Sequence, residues 1–304
     1  MQAMILAAGL GTRLRPHTLR RPKPLFPILD QPLLLRIIDD LRWAGCRRMV
    51  VNAFHLRQQI VALLAGQPDI EVQQEDQELG TGGGLRRAWP RFGDQPVLVV
   101  NGDIFHDIDY RRVMVHHRQA GNDATLVLHD QPPHNKVQVD AELNILSFSA
   151  PLSPAGAGQP VPADNGLAVS WAFTGIQVIE PALLELMPAR GFYHSIDWYR
   201  QLIVRGRRVR GMTVSGHCWH DIGTPEDYLA LHGKLLSARN ERRTPFWLGA
   251  EVVLGREISF SDWVAVGRRA VLGDGVQLRR CVVWDGVEVP AGTVAEDTIF
   301  SGAG

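Results

Sequence analysis

Met4-Ile5-Leu6-Ala7-Ala8-Gly9-Leu10-Gly11-Thr12-Arg13-Leu14-Arg15-Pro16 is the stretch on which the reading of this chain turns. A short apolar run, too brief for a full helix, breaks at Gly9, and Gly11 follows at once. The pattern predicts a strand that ends in a loop of phosphate size. Glycines in such a loop let the backbone approach a ligand and turn N–H groups toward an anion, and Arg13 adds a planar cationic fork. Arg21-Pro22-Lys23-Pro24-Leu25 comes next, a lysine held between two prolines. Two cations beside one such loop suit a polyphosphate. The run is not the dinucleotide fingerprint, because Thr12-Arg13-Leu14 stands where the third glycine would fall.

At 304 residues the chain has room for two domains and a substantial core. Hydrophobic residues make up 45% and charged residues 21%, the balance of an ordinary globular protein. Thirty-two basic side chains match 32 acidic ones, so the formal net charge is zero. That balance argues against a nucleic-acid or membrane-surface binder. Cys46, Cys218 and Cys281 are odd in number and far apart, with no Cys-x-x-Cys, which points to reduced thiols in a cytoplasmic protein. No stretch approaches the roughly 20 apolar residues of a membrane span, and no basic region precedes the first apolar run, so no targeting segment is expected. The only lysines are Lys23, Lys136 and Lys234. In a chain this rich in arginine, a lysine inside the loop motif points to a need for a compact ammonium.

Strand-like and helical patterns alternate through the first half. A helix is expected over Leu33 to Ala44, a strand over Met49 to Asn52, a helix over His55 to Leu64 and a strand over Ile70 to Gln74. A further helix is expected after Gly82-Gly83-Gly84, then a buried strand over Pro96 to Asn101 and a helix over Asp109 to Gln119. This alternation predicts a mostly parallel sheet covered on both faces, with ligands beyond the carboxyl ends of its strands, where the glycine loop and Asp103 both fall. Ala124 to Leu128, Val137 to Val139, Leu143 to Phe148 and Trp171 to Ile179 read as further strands, and residues 150–166 as a mobile surface loop. A helix over Pro225 to Leu236 and a polar linker over Ser237 to Thr244 follow.

Beyond the linker the texture changes. Val266-Gly267, Leu272-Gly273, Val276, Cys281-Val282-Val283, Val287 and Val289 recur at a spacing near six, as in the hexapeptide repeat of a left-handed parallel β-helix. A plain β-hairpin module is the alternative reading. The repeat is read as an assembly or packing element, offering a route to a homo-oligomer.

The order strand, Gly-x-Gly-Thr-Arg, then Lys-Pro, closely resembles the signature of the sugar-1-phosphate nucleotidyltransferases. Asn101-Gly102-Asp103 and Asp221-Ile222-Gly223-Thr224-Pro225 extend the resemblance to about residue 236. It implies an α/β fold with a Rossmann-like, mostly parallel mixed sheet. Residues 1–236 would be the catalytic domain, and 245–304 a short left-handed β-helix-like module. The implied reaction joins an NTP to a sugar 1-phosphate and releases pyrophosphate with the help of Mg²⁺. By the same resemblance Arg13, Lys23 and Asp103 are catalytic. Asp103 and Asp221 are the metal aspartates, although each has a plainer local reading, as a turn residue and a helix cap; Thr224 could serve as that cap equally well. Leu6, Ala8, Gly9, Gly11, Thr12, Glu75, Gly80, Thr81 and Gly102 are assigned to the nucleotide. Asp107 and Asp109 are expected at a helix start.

Glu75-Asp76-Gln77-Glu78-Leu79-Gly80-Thr81 looks like the family's base-reading segment. A carboxylate at Glu75 suits guanine, whose N1–H and N2–H₂ donors lie side by side, so GTP is favoured. Mannose 1-phosphate is the favoured sugar, and UTP with N-acetylmuramate 1-phosphate is the alternative, since Thr81-Gly82-Gly83-Gly84 resembles that group too. Phe173-Thr174-Gly175 matches a family segment near the sugar; Gly175, Asn165 and Asp197 are the substrate-binding residues expected. The Glu-Lys-Pro stretch of many relatives is missing; Ser147-Phe148-Ser149 stands about where it would fall. Two readings of other classes remain: a silent paralogue that binds a nucleotide sugar and regulates a partner, and a hexapeptide acyltransferase.

Overall fold

The computed structural model describes residues 1–149, 168–237 and 245–302. The loop expected over 150–166, with Asn165, lies outside the described residues, as does the linker beyond Ser237. The chain forms two compact units that do not follow chain order. The first holds Met1–Gly9, Ile37–Gly102 and His106–Trp219; the second holds Leu10–Arg36, Asp103–Phe105 and His220–Gly304.

The first unit is built on a nine-stranded sheet. Its strands are β1 (Gln2–Leu6), β2 (Arg48–Ala53), β3 (Ile70–Gln74), β4 (Val97–Asn101), β5 (Ala124–His129), β6 (Val137–Val139), β7 (Ile145–Phe148), β8 (Val169–Ile179) and β9 (Val209–Thr213). The spatial order is β7-β6-β8-β4-β1-β2-β3, and β5 pairs with both β8 and β9. β1 runs parallel to β2 and β4, placing Met4 beside Val50 and Val99. β8 runs antiparallel to β4, β5 and β6, which makes the sheet mixed, as expected. Ala3, Met4 and Ile5 are each fully buried, which explains why β1 reads as an unbroken apolar run instead of an alternating one. Met4, Val50, Val99, Leu126, Trp198 and Leu202 belong to one core cluster. Each large side chain so buried contributes about 1.5–3 kcal/mol.

The helices are α1 (Leu33–Trp43), α2 (Arg57–Leu64), α3 (Gly80–Ala88), α4 (Tyr110–Ala120), α5 (Ser195–Val204) and α6 (Pro225–Ser237). Asp109 caps α4, its Oδ1 accepting the Arg111 N–H at 2.8 Å. Asp107 does different work from the helix start expected of it: its Oδ1 accepts the Cys218 N–H at 2.7 Å. The largest departure is α3, which takes in the whole glycine run instead of following it. A Cβ on Gly82 would lie 2.8 Å from the Tyr193 ring, and one on Gly83 2.8 Å from the Gly191 carbonyl. The poor helix propensity of glycine is overridden there by close approach of the 191–193 segment.

In the second unit α6 begins with a reciprocal cap. Thr224 Oγ1 accepts the Asp227 N–H at 3.2 Å, while Asp227 Oδ2 accepts the Thr224 N–H at 3.1 Å. Beyond α6 the chain winds in parallel coils. Phe246 pairs with Val264, Val264 with Cys281 and Val282 with Ile299. Partners thus fall eighteen or seventeen residues apart, close to three six-residue repeats per coil. Val253, Val271 and Glu288 make the equivalent ladder on a second side. This is a β-helix-like module, and the hairpin alternative fails because its strands pair in parallel.

Candidate active site

The sequence-predicted residues divide between the two units. In the second unit a tight turn places the loop after Gly9. Gly11 sits at φ +60°, and a Cβ there would lie 2.8 Å from Thr18 Cγ2. Thr18 Oγ1 donates to the Gly11 carbonyl at 3.0 Å, closing the loop on itself. A single turn of 3₁₀ helix then carries Lys23, whose side chain is almost wholly buried. Its ammonium donates to Asp103 Oδ2 at 2.9 Å and to Asp221 Oδ1 at 2.8 Å. Arg13 Nη2 stands 3.7 Å from Asp221 Oδ2, with its side chain 67% exposed. Gly223 makes room for that guanidinium, since a Cβ there would meet Arg13 Nη2 at 2.8 Å.

Three segments widely separated in sequence therefore bring two cations and two carboxylates together. Burial alone would lower the Lys23 pKa, but the two carboxylates outweigh it and hold the pKa above its ordinary value. The ammonium is fixed in its charged form. With Thr224 and Asp227 capping α6, Asp221 has no capping duty, and its carboxylate is committed to Lys23 and Arg13. The sequence alone makes Asp221 and Thr224 rivals for that cap.

In the first unit the residues assigned to the nucleotide lie along the carboxyl ends of β1 and β4 and around the start of α3. The Gly102 N–H donates to the Leu6 carbonyl at 2.8 Å, and a Cβ on Gly102 would lie 3.0 Å from that oxygen. Gly80, at φ +69°, leaves no space for a Cβ beside the Tyr193 carbonyl, 2.7 Å away. Thr81 Oγ1 accepts the Ser195 N–H at 3.0 Å and so ties the start of α3 to the start of α5. Glu75 is 1% exposed. Its Oε1 accepts from Asn52 Nδ2 and from Gln73 Nε2, each at 3.0 Å, and burial raises its pKa. Asn52 Oδ1 in turn accepts the Ala7 N–H at 2.8 Å.

Asn52 and Gln73 were not singled out from the sequence. The available signal was a pair of polar residues inside otherwise apolar or alternating strands, where an unpaired amide is costly. Of the sugar-side residues, Gly175 takes φ +83° at a bulge in β8, where its register against β5 shifts. Asp197 is 3% exposed and accepts from Arg200 Nη1 at 2.8 Å. Its chain neighbour Trp198 is buried in the core cluster.

A family model described as nucleotidyl transferase matches residues 2–238. The chain belongs to that family. The match spans every charged member of the cluster as well as Asn52, Gln73 and Glu75. Mannose-1-phosphate guanylyltransferase of Mycobacterium tuberculosis is 27% identical over 312 residues, covering 97% of this chain and 83% of its own. N-acetylmuramate alpha-1-phosphate uridylyltransferase of Neisseria meningitidis serogroup B is 32% identical over 231 residues, covering 74% of this chain and 94% of its own. A solved Bacillus anthracis structure described as a glucose-1-phosphate thymidylyltransferase superposes with a TM-score of 0.63 at 20% identity. It covers 80% of this transferase and 97% of its own chain, and at that identity it speaks for the fold. The nucleotidyltransferase expected from the sequence motifs is thereby shown. No helix among the described residues is long and apolar enough to cross a membrane.

Proposed function

We propose that this transferase moves a nucleotidyl group from an NTP to a sugar 1-phosphate, with GTP and mannose 1-phosphate as its preferred pair. The observation that carries the reading is the convergence of Lys23 on Asp103 and Asp221 with Arg13 at the edge. In the proposed step a phosphate oxygen of the sugar 1-phosphate attacks the α-phosphorus. One O–P bond forms, the bond from the α-phosphorus to the bridging oxygen breaks, and pyrophosphate leaves with that electron pair. Little covalent work falls to the protein, which must align two anions and offset their charge.

Exposed Arg13 suits the β- and γ-phosphates, where a planar fork binds two oxygens at once. Lys23 supplies a buried point charge that stays protonated at the reacting phosphate. Asp103 and Asp221 already converge on one cation, and a magnesium-type ion takes one or two carboxylates and fills its other positions with water and phosphate oxygens. The donor set fits such an ion. When bound, it would offset phosphate charge. The two carboxylates would share the cations of the site, and Lys23 would turn its donors to the substrate.

The base choice rests on Glu75, and the mannose choice on the guanylyltransferase relative, whose match also runs through the C-terminal module. A second reading, UTP with N-acetylmuramate 1-phosphate, is favoured by the higher identity over the catalytic stretch. A cytoplasmic site of action belongs to the proposal and is supported by three cysteines that stay unpaired.

Pyrophosphate release with Mg²⁺, measured across four NTPs and several sugar 1-phosphates, tests both. Turnover with GTP and mannose 1-phosphate supports the preferred pair. Turnover only with UTP keeps the reaction and replaces the base. Silence across the grid, with nucleotide sugar still bound, would favour a regulatory paralogue.

A further inference from the structure

Lys23 opens a single 3₁₀ turn, held internally by the Leu25 N–H on the Pro22 carbonyl at 2.8 Å and the Phe26 N–H on the Lys23 carbonyl at 3.0 Å. Pro22 and Pro24 flank it and lack N–H donors, and Arg21 and Pro22 lie in no regular element. The rest of the stiffness the loop needs comes from elsewhere in the second unit, from the last coils of the β-helix-like module and from α6.

Trp284 is 1% exposed and lies under the loop. Its ring packs edge-on against Phe26, with centroids 4.7 Å apart, and tilts against His17 at 6.0 Å. The Arg21 guanidinium covers the same ring at 4.6 Å. Arg21 also grips the next residue with both arms, Nη1 at 2.7 Å from Asp285 Oδ1 and Nη2 at 3.3 Å from Oδ2. Burial would raise the Asp285 pKa, but Arg21 prevails and holds it below its ordinary value. One coil further on, Ser301 Oγ pairs with His17 Nδ1 at 2.9 Å, and its carbonyl accepts from Arg20 Nη1 at 3.3 Å. From α6, Tyr228 donates to the Pro27 carbonyl and accepts from Trp284 Nε1 at 3.2 Å.

Both flanks of Lys23 are therefore held, while its ammonium points to the two aspartates. The Arg21–Asp285 pair lies at the surface, but stacking on Trp284 and the two-armed bond to Asp285 restrict Arg21 more than a lone surface ion pair would. Reacting groups need placement to within about 0.5 Å, and a shift of about 1 Å can cost a hundredfold in rate.

We propose that Arg21, Trp284 and Asp285 are positioning residues for nucleotidyl transfer: the module seats the flanks of Lys23 so that its ammonium meets Asp103 and Asp221. The proposal rests on the reading of Lys23 as a participant in that transfer. It gives the module a part in the chemistry of its own chain.

The test combines turnover with amide hydrogen exchange on the full chain. Asp285→Ala is expected to lower kcat by about 10- to 100-fold with the nucleotide KM changed by less than about threefold. Asp285→Glu, which keeps a carboxylate for Arg21, is expected to recover most of that loss. In a Lys23→Ala background, Asp285→Ala should change kcat by less than about twofold, because its effect passes through a group already gone. The amides of Leu25 and Phe26, bonded to Pro22 and Lys23 carbonyls, should exchange at least about tenfold faster in Asp285→Ala, with those of Val97–Asn101 unchanged. Equal losses with and without Lys23, or exchange at Leu25 and Phe26 that stays slow, would overturn the proposal. The exchange arm needs no turnover, so a wrong substrate reading shows as silence in the assay alone, while a wrong seat shows in the exchange.

Discussion

Lys23 Nζ lies 2.8 Å from Asp221 Oδ1 although 198 residues separate them in the chain. With Asp103 Oδ2 at 2.9 Å on its other side, the ammonium is shared between two carboxylates that would otherwise repel each other. Removing the cation leaves that repulsion and removes the charge that we propose faces the phosphate. Lys23→Met, which keeps the volume of a buried side chain, is expected to lower kcat for pyrophosphate release by about 10²- to 10³-fold. Asp103→Asn should do the same with the fold intact by circular dichroism. Near-normal turnover in either variant would remove these residues from the chemistry.

Glu75 has two possible parts, and one substitution separates them. As a base reader it would face guanine; as placed, one oxygen already holds Asn52 and Gln73. Glu75→Gln is expected to lower the ratio of kcat/KM for GTP over UTP by about tenfold, the cost of one mismatched polar contact. A parallel fall for both nucleotides would assign Glu75 to holding Asn52, and through it the Ala7 amide, with no voice in base choice.

Gly84 offers a sign test for packing. In most helices Gly→Ala gains about 0.5–1 kcal/mol. Here the added Cβ would lie 2.8 Å from Asn52 Nδ2 and 3.2 Å from Glu75 Oε1. Gly84→Ala is therefore expected to destabilise by about 1–3 kcal/mol in chemical denaturation. A gain in stability would show that the Asn52–Glu75 pair yields to an added methyl group.

His232 sets a pH dependence. It is fully buried, its Nδ1–H donates to the Tyr228 carbonyl at 2.9 Å and its Nε2 accepts the Leu29 N–H at 3.0 Å, so both nitrogens are used in the neutral form. Burial lowers its pKa from 6.5 to about 4. Between those values the unfolded chain binds a proton that the folded chain refuses. Stability should therefore fall as pH drops from about 6.5 to about 4, by roughly 3 kcal/mol at full extent, and stay flat above that window as far as this group is concerned. Denaturant midpoints from pH 4 to 8, compared with those of His232→Gln, isolate the effect. An unchanged slope in the variant would place the pH dependence elsewhere.

Much of the catalytic half was legible because its signals are local. The apolar run of β1, the glycines after it and the Lys-Pro step lie within 25 residues, and each demands a specific backbone. Asp103 was legible as a carboxylate at a strand end and Asp221 by its resemblance to the family motif; that both serve the same lysine was not, since nothing local records a meeting across 80 and 198 residues. Asn52 and Gln73 were missed because a single polar side chain in a strand looks the same whether it faces water or a buried carboxylate. The start of α3 was misplaced because glycine argues against a helix until Tyr193 and Gly191 are seen against it. The tie between the Lys23 loop and Trp284 was invisible for the same reason: it is a long-range contact between two short segments.

The coil repeat of the C-terminal module limits how its length can change. A coil closes every seventeen or eighteen residues, so shorter insertions would turn buried side chains outward. Deleting a whole coil ahead of Trp284 would preserve the inside–outside pattern but shift that tryptophan by one strand spacing, about 4.8 Å, away from Arg21 and Phe26. Added coils beyond Ser301 would leave the seat untouched. Length variation among relatives that share this seat is therefore expected at the far end of the module and not between α6 and Trp284. Aligning such relatives coil by coil would expose that bias or its absence.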